Sequence, residues 1–292
     1  MYTKFEKLLI LVKIKASIPL GFLRETYEAR NGAILSYYFD RKANAGDLIG
    51  PYLIEKIIGK RVANCRSRIP NHLLAVGSIM HEANARSFIW GAGCLGESYI
   101  SDSVSSDKIF ALRGKKTLAA LEAKFGKKLE MVPLGDPAVL MPQLFQPEVK
   151  PEFKVGIIPH YWHYDKVKAV VGEEEGVHVI DIRCTPEELV LHILRCESIL
   201  STSLHGLILA DSYNVPNKWL EDATSPLLGG RFKFHDYYST TSNPCELPFV
   251  LESSDDIFEA LERANSMISV KGFAECKLDL KQSLLNAFGF MN

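Results

Sequence analysis

The segment ILSTSLHGLILADSYNVP, residues 199–216, joins two apolar runs through a cluster of hydroxyl side chains and a His-Gly pair. The first apolar run predicts a buried strand and the second predicts a helix, with the hydroxyls and the glycine at their junction. A buried strand that leads into a helix is the repeating unit of a parallel α/β sheet. The segment therefore indicates an α/β fold and places the imidazole of His205 at the start of a helix.

The same alternation of strands and helices runs along most of the chain. Strands are predicted at residues 33–40, 72–79, 87–93, 108–114, 130–134, 154–160, 177–182, 198–202 and 216–221, and helices at 44–59, 115–126, 165–175, 185–196, 204–214 and 253–268. A proline-containing segment before residue 151 looks like a linker. Because the strands are almost continuously apolar, both faces of each sheet should be covered. We predict two doubly wound, Rossmann-like α/β domains, residues 1–150 and 151–292, with a ligand cleft between them.

Composition describes an ordinary globular protein. The chain has 292 residues, 47% of them hydrophobic, and a formal net charge of -1, which gives no support to nucleic acid as a partner. Its six cysteines are scattered without the spacing of a structural zinc site, so no metal is predicted. The apolar stretch at residues 5–23 is interrupted by Lys13 and Lys15, too broken to span a membrane. It is expected to pack on the core or, alternatively, to rest on a membrane surface.

Several polar clusters follow predicted strands, where parallel sheets bind ligands. Asn44, Gly46 and Asp47 suit an anion site at a helix start, although a plain turn with Asp47 as N-cap explains the same residues. Arg113 ends the strand at residues 108–112, and its guanidinium fork matches a carboxylate or phosphate. His160 follows another apolar strand together with aromatic residues, which indicates a role in holding a ligand.

At the opening segment, Ser203, His205 and Gly206 occupy the strand end and the first helical turn. The positive end of the helix dipole lowers the pKa of an imidazole there, and a bound anion raises it, so His205 suits general acid–base chemistry. No G-x-S-x-G elbow is present, and neither the dinucleotide fingerprint nor the Walker loop follows a predicted strand. The residue pattern by itself indicates an anion-binding, transferase-like cleft.

Six segments in order resemble the polysaccharide pyruvyl transferase family, and within it the exopolysaccharide ketal pyruvate transferases of the succinoglycan type. They are NAGDLIGPYLIEKIIG, VGSI with IWGAG, LRGKKTLAALEAKFG, LGDPAVLMP, VGIIPHY and ILSTSLHGLILADSYNVPNKWLE, which together span about residues 40–222. The resemblance implies a GT-B-like fold and transfer of pyruvate from phosphoenolpyruvate onto two hydroxyls of one sugar, forming a cyclic ketal. It implies neither a metal nor a cofactor. The acceptor would be a polysaccharide or its lipid-linked precursor, in the cytoplasm or at the inner face of the membrane.

On this resemblance we base a hypothesis about the roles of individual residues. His205 would act as acid or base with His160 as the second candidate, while Arg113, the turn at residues 44–47 and the helix start at residues 203–206 would bind the anionic donor. Many relatives carry arginine where this chain has Ser203, so a second cation must come from elsewhere. Arg183 and Arg231 are the candidates, with ordinary surface positions as the alternative for each.

Two other functions fit the same pattern. A GT-B glycosyltransferase that uses a nucleotide sugar would carry a similar fold and a similar anion site. A non-catalytic saccharide-binding or assembly subunit is the second alternative, and the presence of His205, Arg113 and the Gly46-Asp47 pair weighs against it.

Overall fold

The computed structural model describes residues 20–273 and 277–291, so the interpretation of the apolar stretch at residues 5–23 lies mostly outside the described residues. The first half of the chain contains α1 (residues 20–30), β1 (Ile34–Tyr37), α2 (Ala45–Ile58), β2 (Val62–Asn64), β3 (His72–Leu74), β4 (Ser87–Trp90), β5 (Ile109–Ala111), α3 (Lys115–Phe125) and 3-10 helices at Met80–Glu82, Ser106–Lys108 and Pro137–Gln143. The second half contains β6 (Phe153–Ile158), α4 (Tyr164–Val171), β7 (Val177–Val179), α5 (Pro186–Leu194), β8 (Cys196–Ser201), α6 (Leu204–Ser212), β9 (Asn217–Asp222), α7 (Phe232–Tyr238), β10 (Phe249–Leu251), α8 (Asp256–Glu262), α9 (Ala264–Met267) and α10 (Lys277–Met291).

These strands form two five-stranded parallel sheets with the same topology. The first sheet has the order β2-β1-β3-β4-β5, and the second, read from its opposite edge, has the order β7-β6-β8-β9-β10. Both correspond to the doubly wound order 2-1-3-4-5, in which the chain reverses direction across the sheet between the first and third strands. The prediction of two Rossmann-like α/β units is therefore confirmed.

Local sequence signals fix the ends of the helices. Gly59 and Gly126 end α2 and α3 in the left-handed conformation, with φ of 72° and 63°, which a residue without a side chain adopts at little cost. Thr185 caps α5 in a complete capping box with Glu188, directly before Pro186 at the first helical position. These boundaries agree with the sequence predictions.

The strand predicted at residues 130–134 is wrong. Only a single bridge forms there, between Leu112 and Leu134, flanked by backbone hydrogen bonds from Leu112 N to Pro133 O and from Gly135 N to Leu112 O. Pro133 has no N–H to extend the ladder, and the chain turns at Gly135, where φ is 151°. The segment that was expected to continue the sheet instead leads into the 3-10 helix at Pro137–Gln143.

One hydrophobic core joins the two sheets. A single cluster of buried side chains includes Trp90 from the first sheet and Trp219 from the second. Helix α10, although last in the chain, packs on β4 and β5, where Trp90 Nε1 donates to Leu280 O over 2.8 Å. The first sheet is thus covered partly by residues beyond position 150, and the domain division at that residue stays a prediction. None of the described helices is both long and apolar enough to cross a membrane.

Candidate functional site

A pocket of about 260 Å³ lies where the crossover points of both sheets meet. The first half contributes Tyr37 at the end of β1 and residues that follow β1, β3, β4 and β5, and the second half contributes residues that follow β6, β8 and β9. The lining consists of Tyr37, Phe39, Asn44, Asp47, Gly77, Ser78, Ile79, His81, Glu82, Leu95, Arg113, His160, Tyr161, Ser203, Leu204, His205 and Lys233. Doubly wound sheets bind ligands at this position, beyond the carboxyl ends of their strands. The pocket is therefore the candidate active site.

Helix α2 begins at the pocket with an asparagine cap. Asn44 Oδ1 accepts a hydrogen bond from Gly46 N at 3.0 Å, and Asn44 Nδ2 donates to Asp47 Oδ2 at 2.9 Å. The alternative that Asp47 is the N-cap is therefore wrong, because Asn44 holds that position and Asp47 lies in the first turn. Asp47 lines the pocket instead, where burial raises the pKa of its carboxyl to about 7, against the opposing effects of the Asn44 hydrogen bond and the Lys233 charge.

His205 lies against the start of α2. A Cβ built on Gly46 would be 2.1 Å from His205 Nδ1, so only glycine allows the imidazole to take this position. The strand end that delivers His205 is fixed by Ser201, whose Oγ accepts from Ser203 N and donates to Ile158 O, each at 2.9 Å. His205 Nε2 is buried without a hydrogen-bond partner among the described residues. An imidazole nitrogen in such a position is available to a ligand atom.

The charge state of His205 follows from its surroundings. Burial, together with smaller effects of the nearby cations Lys233 and Arg113, lowers the pKa of His205 to about 3. The imidazole is thus neutral at neutral pH, and a bound anion would offset the two cations. His205 in this state suits hydrogen bonding to a ligand better than donation of a full proton.

Arg113 is fully buried and forms hydrogen bonds with residues from both halves of the chain. Its Nε donates to Asp236 Oδ2 at 2.9 Å, Nη1 donates to Ser78 Oγ at 2.7 Å, and Nη2 donates to Cys94 O at 2.7 Å. Asp236 is held in turn by the backbone N–H and the hydroxyl of Thr117, at 2.8 and 2.7 Å. Three of the five guanidinium N–H groups are used in this way. Arg113 therefore lines the pocket as a fixed positive charge that also joins the two sheets.

Lys233, on α7, is a pocket residue that the sequence reasoning missed. It lies in the pocket lining with Asp47 and His205, and the described residues form no ion pair with its ammonium group. Burial and the Arg113 charge together lower the pKa of Lys233 to about 8, against the opposing effect of the Asp47 charge. At pH 7 the pocket thus holds a second cation. The sequence carried only a weak signal for it, since Lys233 follows no predicted strand and looks like one of many surface lysines.

His160 lies in the same pocket within an aromatic cluster. Its ring centroid is 4.3 Å from that of Tyr161 and 5.3 Å from that of Trp162, and its backbone N–H donates to Thr202 Oγ1 at 2.9 Å. Burial, together with a smaller effect of the Lys233 charge, lowers the pKa of His160 to about 3. Trp162 is 61% exposed, so the cluster presents an aromatic surface beside the pocket. Such a surface suits stacking against a sugar ring.

Three other predicted residues lie apart from the pocket lining. Arg183 forms a bidentate pair with Asp181, and Arg231 pairs in the same way with Glu221, so both occupy the surface positions given as their alternative. Gly206 faces the interior, where an added Cβ would be 2.7 Å from Ser201 Oγ. Six of the predicted residues line the pocket, namely Asn44, Asp47, Arg113, His160, Ser203 and His205. Gly46 is not part of the lining but lies against the His205 imidazole. No group of three or more metal-ligating side chains occurs in residues 20–273 and 277–291.

The family model for polysaccharide pyruvyl transferases matches residues 67–220, more than half of the chain. The chain belongs to the polysaccharide pyruvyl transferase family. The resemblance drawn from the six sequence segments is thereby confirmed, and pyruvyl transfer in polysaccharide synthesis is supported as the general activity. The matched region includes Arg113, His160 and His205, three residues of the pocket.

Two proteins and one solved structure can be compared with this chain individually. The uncharacterized protein L143 of Acanthamoeba polyphaga mimivirus is 33% identical over 220 residues, which cover 73% of this chain and 76% of that protein. The succinoglycan biosynthesis protein ExoV of Rhizobium meliloti is 26% identical over 230 residues, covering 73% of this chain and 67% of ExoV. Among solved structures, a functionally uncharacterized protein of Klebsiella pneumoniae superposes with a TM-score of 0.43 at 11% identity, covering 81% of this chain and 98% of that one.

Proposed function

We propose that this protein transfers pyruvate from phosphoenolpyruvate onto two hydroxyls of one sugar, forming a cyclic pyruvate ketal and releasing phosphate. The observation that carries the proposal is the pair of cations, the fully buried Arg113 and the half-buried Lys233, in a pocket that also contains the starts of α2 and α6. Phosphoenolpyruvate carries a phosphate and a carboxylate, and cations together with helix N-termini are the groups that bind such anions in proteins.

Each pocket residue has a task in this proposal. Arg113 supplies one positive charge. Lys233 supplies the second, which this chain needs because it has Ser203 in place of an arginine. The neutral imidazole of His205 donates a hydrogen bond from Nε2 to an oxygen atom of phosphoenolpyruvate. Backbone N–H groups at the start of α6 face the phosphate. His160 and its aromatic neighbours Tyr161 and Trp162 hold the sugar acceptor, which the ring faces can stack upon.

The setting of the reaction belongs to the same proposal. The two sheet units would take a GT-B-like arrangement, with the substrates bound between them. The acceptor is a polysaccharide or its lipid-linked precursor, and the reaction takes place in the cytoplasm or at the inner face of the membrane, where phosphoenolpyruvate is present. No metal ion or cofactor is part of the proposal, and turnover is expected to continue in the presence of EDTA.

The decisive experiment combines binding with turnover. The purified protein is incubated with phosphoenolpyruvate and a panel of synthetic and lipid-linked glycosides, while phosphate release and the mass of each glycoside are followed. We expect phosphate release that depends on the acceptor, together with a pyruvate ketal on one sugar. Thermal unfolding with phosphoenolpyruvate or with UDP-sugars provides a binding comparison, because a ligand at 100 times its Kd stabilises by about 2.7 kcal/mol. Stabilisation by UDP-sugars alone, without phosphate release, would contradict the proposal.

A further inference from the structure

The pocket contains a carboxyl group whose surroundings differ from those of a surface aspartate. Asp47 lies in the first turn of α2, fixed by the hydrogen bond from Asn44 Nδ2 to its Oδ2. Its Oδ1 lies 4.0 Å from the point where a Cβ on Gly77 would stand, so the absence of a side chain at Gly77 leaves room beside this oxygen. Both oxygens belong to a group that lines the pocket rather than one that faces bulk solvent.

The charged and titratable groups around Asp47 come from several elements. Lys233 on α7 is the cation that acts on it, while Tyr37 at the end of β1 and Tyr161 after β6 also interact with its charge. The other titratable groups of the lining are His81, Glu82, Arg113, His160 and His205. Within the described residues, no ion pair ties the Asp47 carboxylate to a cation. A proton on this carboxyl is therefore held by burial, and an anionic ligand would hold it more firmly.

His205 is less suited to donate the first proton. Its Nδ1 faces the backbone at Gly46, which leaves Nε2 as the nitrogen open to a ligand. Two cations, Arg113 and Lys233, oppose a third positive charge on the imidazole. Protonation of His205 would require its pKa of about 3 to rise by several units, whereas burial raises the pKa of the Asp47 carboxyl to about 7.

We propose that Asp47 is the general acid and base of pyruvyl transfer, exchanging its proton with the methylene carbon of the donor and with the first sugar hydroxyl. This inference rests on the proposed function. Asp47 gives its proton to C3 of phosphoenolpyruvate as the first hydroxyl oxygen bonds to C2, and the carboxylate then takes the proton of that hydroxyl. The bond between C2 and the phosphate oxygen breaks, and phosphate leaves with the electron pair. The second hydroxyl closes on C2, its proton passes to the phosphate, and Asp47 is left protonated for the next cycle.

The test compares Asp47→Asn with the parent protein in phosphate release, phosphoenolpyruvate binding and pH profile. Asparagine has nearly the same shape and is neutral like the protonated carboxyl, so we expect phosphoenolpyruvate to bind at least as tightly. Because asparagine cannot donate a proton to carbon, phosphate release should fall by about 10²- to 10⁴-fold. Asp107→Asn, which changes an exposed aspartate in the same way, is the matched control and should keep the parent rate. Asp47→Glu should recover part of the lost rate.

The pH profile separates Asp47 from the other titrating groups. A general acid works only while protonated, so the rate should fall as pH rises through the pKa of Asp47. Lys233 also loses its proton at higher pH, and the profile is therefore recorded in the Lys233→Arg variant, where this second loss is absent. In that background, the falling limb should persist in His205→Gln and disappear in Asp47→Asn. In D2O, the ketal methyl of the product should contain one deuterium.

The outcomes distinguish the two proposals. If the parent protein releases phosphate and Asp47→Asn does so at the parent rate with the same falling limb, the role of Asp47 is overturned and pyruvyl transfer stands. Loss of the falling limb in His205→Gln would transfer the role to His205. If the parent protein forms no ketal with any acceptor of the panel, the proposed function fails and the assignment of Asp47 fails with it.

Discussion

The guanidinium of Arg113 donates from Nε to Oδ2 of Asp236 over 2.9 Å, and both side chains are completely buried. Arg113 follows the last strand of the first sheet, whereas Asp236 belongs to α7 beside the second. The pair therefore fixes the pocket wall that carries Arg113 relative to the helix that carries Lys233. A pocket held in this way is formed before a ligand arrives, which lowers the cost of binding.

Breaking this pair should destabilise the protein strongly. Asp236→Asn leaves the buried guanidinium without its countercharge, a change that costs about 3–5 kcal/mol when one partner of a buried pair is removed. Arg61→Lys, at an exposed pair with Glu28, serves as the control and should cost less than about 1 kcal/mol. Denaturant unfolding measures both free energies. Equal stability of the two variants would show that the pair does not hold the fold together.

A methyl group at Gly46 should impair turnover more than stability. The added Cβ would lie 2.1 Å from His205 Nδ1, so the imidazole must move, and a displacement of this size near the reacting atoms costs about 10²-fold in rate. Gly289→Ala on α10 is the control, because nothing lies within 4 Å of its added Cβ. Alanine in that helix should stabilise the fold by about 0.5–1 kcal/mol and leave turnover unchanged. Steady-state kinetics and thermal unfolding report the two effects, and a fully active Gly46→Ala variant would contradict the position of His205.

The charge of Lys233 should govern affinity for the anionic donor. Lys233→Met removes a charged hydrogen-bond donor, worth about 1.5–3 kcal/mol, so Kd for phosphoenolpyruvate should rise by about 10- to 150-fold. Lys116→Met, at an exposed position, should leave Kd unchanged. Because burial lowers the pKa of Lys233 to about 8, the parent protein should bind the donor more weakly as pH rises above this value. Calorimetric titration across pH 6–10 checks both, and an unchanged Kd in Lys233→Met would refute the assignment.

Asp47 should make the protein less stable as pH rises. The pKa of Asp47 is about 7 in the folded chain and near 3.8 in the unfolded chain. Between these pH values the folded chain binds a proton that the unfolded chain has released, so the free energy of unfolding falls as pH rises toward 7. Asp47→Asn removes the cost of the buried charge. At pH 8 it should stabilise the fold by about 1–3 kcal/mol, less than the full linkage value because water reaches the pocket, and the gain should vanish near pH 4. Thermal unfolding from pH 4 to pH 8 tests this, and a gain that does not depend on pH would point to another cause.

The strands and helices that build the pocket were largely predictable from sequence. Apolar strands followed by polar clusters identified the ends of β1, β5, β6 and β8, because parallel strands bring their carboxyl ends to one edge. Glycines at helix ends and the capping box at Thr185 set boundaries through local chemistry alone. The edge strands β2 and β10, three residues each, were missed.

The residues of the site were harder to predict than the fold. Arg113, Asp47 and His205 follow strands, so their sequence position already indicated the pocket. Lys233 reaches it from α7 through the packing of the second half against the first, which no local pattern records. The partners of Arg183 and Arg231 could not be predicted from the sequence either, because the folded backbone selects the acidic residue that pairs with each, Asp181 two positions away and Glu221 ten positions away. Side chains that depend on long-range packing lie beyond single-sequence reasoning.

The contact between Trp90 and α10 determines when the first sheet can finish folding during synthesis. The residues joined by this hydrogen bond are separated by 190 positions, and Leu280, Leu284 and Ala287 of α10 are fully buried. At about 5–20 residues per second, a ribosome needs roughly 10 to 40 seconds to extend the chain from Trp90 to Leu280. During that time the nascent first sheet keeps an apolar face open to water or to chaperones. The fold of the first half of this protein is therefore completed only after α10 has been synthesised, although the first half itself is synthesised first.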